Sequence, residues 1–229
     1  MKRFYRSATA VPQASGWRIA LDGKPVTTPQ RRDLVVPTQA LADAIAAEWD
    51  AQGDTIDPRM MPLTGIANAA VDHVEGNRHD FAARLAAYAE TDLVCYRADM
   101  PALLAERQAS AWDPLIAFVQ QRYDAVLATT TGITHIAQSC DSTRRLADAV
   151  KALDAFRLAA MQPVVTIAGS VVIALALLEG RIDAEAAFAA GTLDELFQAE
   201  QWGEDEEACL AREARRRDFD AAVRFLSLL

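Results

Sequence analysis

Residues 158 to 178, LAAMQPVVTIAGSVVIALALL, contain no charged side chain and are bounded by Arg157 and Glu179. A run this apolar has to be buried. About 20 apolar residues of helix suffice to cross a bilayer, but three features count against a span. Gln162 and Pro163 lie near the start, Thr166, Gly169 and Ser170 interrupt the middle, and the flanks lack a lysine-rich anchor or an aromatic belt. The other helical patterns are amphipathic, and among such neighbours a helix apolar on every side is the central helix of a bundle. Ala168, Gly169, Ser170 and Ala174 would admit close neighbours, while Val164, Ile167, Val171, Ile173, Leu175 and Leu178 would fill the space between them. The expectation is one buried helix over 158–178 with a helical domain built around it.

Working outward, Leu146, Val150 and Leu153 mark an amphipathic helix that delivers the chain into this one. Pro101 can open a long helix carrying Leu104, Trp112, Leu115, Ile116 and Val119, and Pro114 predicts a kink or split near Trp112. Gly132 to Ile136 reads as a short extended piece. Leu63, Ile66, Ala67, Ala70 and Val74 share one helical face, and Phe81, Leu85 and Tyr88 another after a break at Gly76-Asn77. Downstream, Gly180 closes the apolar run and Asp183 caps a further helix. Thr192 and Glu195 have capping-box spacing, and Phe219, Ala222, Val223 and Leu226 give the last helix a docking face.

The first 36 residues follow a different period. Trp17, Ile19 and Leu21 alternate with Arg18 and Ala20, and Asp22-Gly23 supplies the pair that a type I′ hairpin turn requires before Lys24 to Thr27 returns. Phe4 to Val11 and Leu34 to Val36 are the expected partner strands, with turns at Pro12 to Gly16 and Pro29 to Asp33. Such short strands need a helix across one face. Thr38 is placed to cap one, with Leu41, Ile45 and Trp49 at helical spacing, so Trp49 reads as structural. The fold class is α+β: a small β-rich domain with one helix over 1–60, then a helical bundle over 61–229.

Lys and Arg number 23 against 32 Asp and Glu, a net charge of −9, which repels phosphate backbones and anionic lipid and excludes nucleic acid as a natural partner. Cys95, Cys140 and Cys209 are odd in number and widely spaced, the pattern of reduced thiols. The N-terminus MKRFYRSATAV has no apolar core of a secretory signal. A bacterial cytoplasm is expected, or the mitochondrial matrix if a presequence has been removed. Nothing in the sequence demands an oligomer.

No phosphate loop, GxGxxG, GxSxG or HExxH is present. Asp72, His73, Glu75, His79 and Asp80 are the best metal candidates, but the two histidines, six apart, do not share a helical face, and no metal or cofactor is expected. Asp54 and Asp57 fit turn capping before Pro58 better than acid–base work, and His135 reads as a core or interface histidine. A small-molecule site near Asp54, Asp57, Asp92 and Tyr96 is the alternative reading. From Asp194 to Glu207 there are seven acidic residues and no basic one, followed by Arg212, Arg215, Arg216 and Arg217. A solvated, self-paired helix face is the plain explanation.

Several segments carry more than periodicity: FYRSATAV, GWRIALDGKPVTTP, AEWDAQG, IDPRMMPLTGIANAAVD, ETDLVCYRAD, WDPLIAF and LDELFQAEQWGEDEEA. In this order, over nearly the whole chain, they resemble the F1-ATPase assembly chaperone family that binds the free α subunit of ATP synthase. The resemblance implies a two-domain protein that is not an enzyme and that shields an unassembled α subunit until the β subunit arrives. It also implies a functional acid shortly before the tryptophan–glycine pair, falling on Asp194 or, with a one-residue shift, Glu195. Asp194, Glu195 and Glu200 would then meet basic groups of the client, with Phe197 and Trp202 supplying apolar contact area.

Overall fold

The computed structural model describes all 229 residues. Two compact units emerge: Met1–Arg78 with Asp154–Met161 and Ala221–Leu229, and His79–Leu153 with Gln162–Asp220.

In the first unit, strand β1 (Ala8–Gln13) pairs antiparallel with β2 (Gly16–Leu21), Ala8 opposite Leu21 and Gln13 opposite Gly16. Strands β3 (Lys24–Pro25) and β4 (Val35–Val36) pair with opposite ends of β2. Asp22 and Gly23 take φ of 48° and 79°, the left-handed pair of a type I′ turn. The Asp22 carboxylate also accepts from the Ser7 and Arg6 N–H groups at 3.0 and 3.1 Å, which hold its pKa low. The turn expected at Pro12 is shorter than the sequence suggests, because β1 runs on to Gln13. An edge strand tolerates a residue without an N–H.

Helix α1 (Gln39–Asp50) starts where the Thr38 hydroxyl accepts from Leu41 N–H at 3.2 Å. It lays Leu41 and Ile45 on the sheet over Ile19, Leu34 and Val36, all but sealed from solvent. Each such aliphatic side chain contributes about 1.5–3 kcal/mol. The end of α1 ties the unit together. Glu48 accepts from the N–H groups of Leu63 and Thr64 at 2.7 and 2.8 Å, capping α2 (Pro62–Ala69), and Asp50 accepts from Ala8 N–H at 2.8 Å. Trp49 is half-buried, with its ring edge-on to Tyr5 at 5.6 Å. A π-turn over Ala70–Val74 then carries Asp72 inward, where it accepts from the Thr28 hydroxyl at 2.6 Å and Gln30 N–H at 3.1 Å. Asp72 is thus a brace for the 28–32 turn.

The second unit is helical, with α3 (Arg78–Ala86) at its entry, then α4 (Ala102–Tyr123), α5 (Cys140–Lys151), α7 (Val171–Leu178), α8 (Ala184–Gly191) and α9 (Leu193–Trp202). Helices α6 (Ala155–Ala168) and α10 (Glu206–Ser227) contribute residues to both units. Helix α4 is not split at Pro114. Pro114 and Ser110, whose carbonyl loses its helical partner, both lie on the exposed side, where water can serve. The expected extended piece after Gly132 falls slightly earlier, with β6 (Thr130–Thr131) parallel to β5 (Tyr96–Arg97).

The apolar run 158–178 is two helices, α6 and α7, which meet at Gly169 with φ 62° and an extended Ser170. Ser170 Oγ accepts from Ile173 N–H at 3.0 Å. Asp92, wholly enclosed, accepts from Val172 N–H at 3.1 Å and Val94 N–H at 3.3 Å. The orphan donors of a buried helix start are thereby satisfied, which is how a break survives inside the core. No helix is long and apolar enough to cross a membrane. Gly191 at the end of α8 approaches the end of α6 so closely that a Cβ there would lie 2.7 Å from Ala168 Cα.

Burial raises the Asp92 pKa to about 6 against the hydrogen bonds that oppose it. Between the ordinary value of 3.8 and about 6, the folded chain holds a proton that the unfolded chain releases, so stability falls as pH rises through that window. Urea melts of the wild type and Asp92→Asn from pH 7.5 to 4.5 should therefore show the wild type gaining relative to the variant as pH falls. The expected gain is on the order of 2–3 kcal/mol. A pH-independent difference would count against it.

Candidate functional site

Helix α9 lies against α4 through paired polar and aromatic contacts. Gln108, buried on α4, donates its amide to Asp194 Oδ1 at 2.7 Å while its carbonyl accepts from Ala98 N–H at 2.7 Å. The preceding residue of α4, Arg107, reaches Glu200 at 2.7 Å and covers the Phe197 ring at 5.3 Å. Glu195 points the other way, to Arg215 at 2.5 Å and Arg212 at 3.4 Å on α10. Arg212 also pairs with Glu204. Three of the seven acids, Glu195, Glu200 and Glu204, are therefore ion-paired within the chain, and the first two members of the run brace α9 on both sides.

The capping box does not form. Thr192 precedes α9 without a capping side-chain bond, its hydroxyl donating back to the Phe188 carbonyl at 2.8 Å, and Glu195 is engaged by the arginines. Phe197 is 4% exposed, so its ring supplies a floor rather than contact area, whereas Trp202 at the end of α9 is 80% exposed. Trp112 is fully buried, with Nε1 donating to the Ala190 carbonyl at 2.9 Å.

Between α4, α8 and α9 lies a groove of about 350 Å³. Ala111, Leu115, Ala186, Ala189, Leu193 and Leu196 make its walls, Ile182 and Phe197 line it further, and Arg107 and Glu200 stand at its rim. It is apolar over most of its surface and polar at one edge, the anatomy of a site that seats apolar side chains.

Most of the other candidates are spent on structure, whereas Asp54, expected to cap the turn before Pro58, is exposed and engages only its carbonyl, which accepts from Arg3 N–H at 2.9 Å. Asp57 caps the 3₁₀ turn Pro58–Met60 and pairs with Arg59 at 2.7 Å, which keeps its pKa low. Asp92 is occupied as described, and Cys95 beside it is buried with its thiol pushed up to about 12, too high for a nucleophile. Tyr96 meets His135 Nδ1 at 3.3 Å, and His135 is exposed rather than in a core, because the 131–139 segment lies largely at the surface. His73, Glu75, His79 and Asp80 form no group of three or more with Asp72 that could hold an ion.

The family model described as ATP12 chaperone protein matches residues 2–120, just over half of the chain. The chain belongs to the ATP12 chaperone family. The resemblance to F1-ATPase assembly chaperones is thereby borne out, and with it a chaperone role in ATP synthase assembly. Among ATP12 relatives, the mitochondrial protein atp12 of Schizosaccharomyces pombe is 24% identical over 219 residues, covering 90% of this chain and 75% of its own length. The crystal structure of Atp12 from Paracoccus denitrificans superposes with a TM-score of 0.95 at 41% identity, over 99% of this chain and 97% of that one. A mutant of the P. denitrificans protein with one aspartate replaced by lysine matches equally well. A candidate chaperone from Agrobacterium tumefaciens gives 0.94 at 37% identity, over 99% and 85%. The ATP12 fold is thus shared along essentially the whole of this chain.

Proposed function

We propose that this chain binds the unassembled α subunit of the ATP synthase F1 head and keeps it from aggregating until it pairs with β. In a member of an assembly-chaperone family, the supporting observation is the apolar α4–α8–α9 groove, together with the exposed Trp202 at the end of α9. A client subunit awaiting its partner exposes an apolar interface, and an amphipathic aromatic next to carboxylates suits transient cover of such a surface. Glu200 and the acids beyond Trp202 steer basic client groups into register. The protein acts as a monomer, in the bacterial cytoplasm or mitochondrial matrix where F1 is assembled.

The test is light scattering of α subunit diluted from denaturant, with and without the chaperone, followed by size exclusion. Suppressed scattering and a co-eluting complex are expected; neither, with a competent α subunit, would end the proposal. Trp202→Ala should weaken protection by about tenfold or more, as loss of an interface anchor does. Its melting temperature should not move, because a side chain this exposed holds nothing in the fold.

A further inference from the structure

We propose that the groove between α4 and α9 receives one face of an amphipathic client helix with basic flanks, two of its apolar side chains seated one helical turn apart. This rests on the client reading for the identity of the partner. The shape comes from the α4 stripe. Leu103, Arg107, Ala111 and Leu115 recur every fourth residue, and Leu103, 49% exposed, continues the row past the groove itself. That row is about 18 Å long, or three turns of helix. Leu193, Leu196 and Glu200 face it from α9.

The occupant must be helical because every wall is helix. Main-chain donors and acceptors there are already used within α4, α8 and α9, so an extended peptide would press unpaired N–H and C=O groups on apolar side chains. A helix satisfies its own backbone and presents only side chains. Its flanks must be basic on electrostatic grounds. Arg107 is the only cation in the lining and is already paired with Glu200, and Arg181 and Asp183 balance each other on either side of Ile182. The acids without a cationic partner are Glu106 next to Arg107 and Asp205, Glu206 and Glu207 after Trp202. Entry of a client lysine or arginine at the rim would compete for Glu200 and release Arg107 from the Phe197 ring.

The probes are three 16-residue peptides: an amphipathic Leu/Lys helix, its Leu/Glu counterpart, and a Leu/Lys scramble with leucines spread around the helix. By fluorescence anisotropy the first should bind and the other two should be weaker by about tenfold or more. Ala111→Trp and Ala189→Trp, which fill the groove from partly open positions, should cut binding by a similar factor with circular dichroism and melting unchanged. On the wild-type protein, a photo-crosslinking form of the amphipathic peptide should label α4, α8 or α9. Equal binding of the scramble, undiminished binding by the filled variants, or labelling confined elsewhere would overturn the proposal. The α-subunit assay separates the two claims. A wild type that fails to protect α yet binds the basic helix loses the client and keeps the groove. Filled variants that protect α as well as the wild type lose the groove and keep the client.

Discussion

Trp112→Ala should lower unfolding stability by about 3–5 kcal/mol in urea, a large share of the roughly 5–15 kcal/mol that holds a domain. The indole is fully buried in α4, donates to the Ala190 carbonyl at 2.9 Å, and lies under the Arg97 guanidinium at 5.2 Å. Truncation therefore opens a cavity, strips a buried carbonyl of its donor and leaves the largely enclosed Arg97, paired with Asp113 at 2.8 Å, without its ring. Trp112→Phe separates these terms, retaining an aromatic body while losing the N–H, and should cost about 1–3 kcal/mol. Ala190 also lines the groove, so the alanine variant should lose client protection at temperatures well below its own midpoint. Full protection by a folded Trp112→Ala protein would show that this wall is not used.

What could be read from sequence were the features with local physics. The Asp22-Gly23 turn, the Thr38 cap and the Asp183 cap, whose carboxylate accepts from Ala186 N–H at 2.8 Å, each depend on residues within a few positions. The apolar run also announced a buried core. Its division at Gly169 did not show, because the cap that permits it comes partly from Asp92, about 80 residues away along the chain. Likewise, Thr192 and Glu195 have the spacing of a capping box, but Glu195 is drawn off by Arg212 and Arg215 on another helix. Long-range partners override local patterns wherever the competing bond is charged. The groove is invisible for the same reason: Ala111, Ala189 and Leu193 look unremarkable singly and become a site only when three helices converge. The signal present was the i, i+4 row Leu103, Arg107, Ala111, Leu115, which carries an arginine where a purely buried stripe would not.

Charge reversal of Asp194 and Glu195 together should abolish client protection and also lower the melting temperature. The sequence alone predicts unchanged melting, since an acidic run reads as solvated. In the folded chain Glu195 sits between two arginines and Asp194 holds the buried Gln108 amide, so a lysine at 195 faces Arg212 and Arg215 while one at 194 leaves the Gln108 amide unpaired. For a side chain about one third exposed, the loss should be about 2–3 kcal/mol, below the cost of breaking a fully buried pair. Added salt should recover part of it by screening the new repulsion. Glu200→Lys provides the contrast. It breaks only the open Arg107 pair, worth about 0–1 kcal/mol, so it should melt like the wild type. If the rim acids meet the client, that single reversal still costs protection, because repulsion at the groove mouth acts on encounter and on seating alike. If Glu200→Lys protects fully while the double variant fails, the acids of α9 serve the fold, and recognition lies with the apolar groove and Trp202.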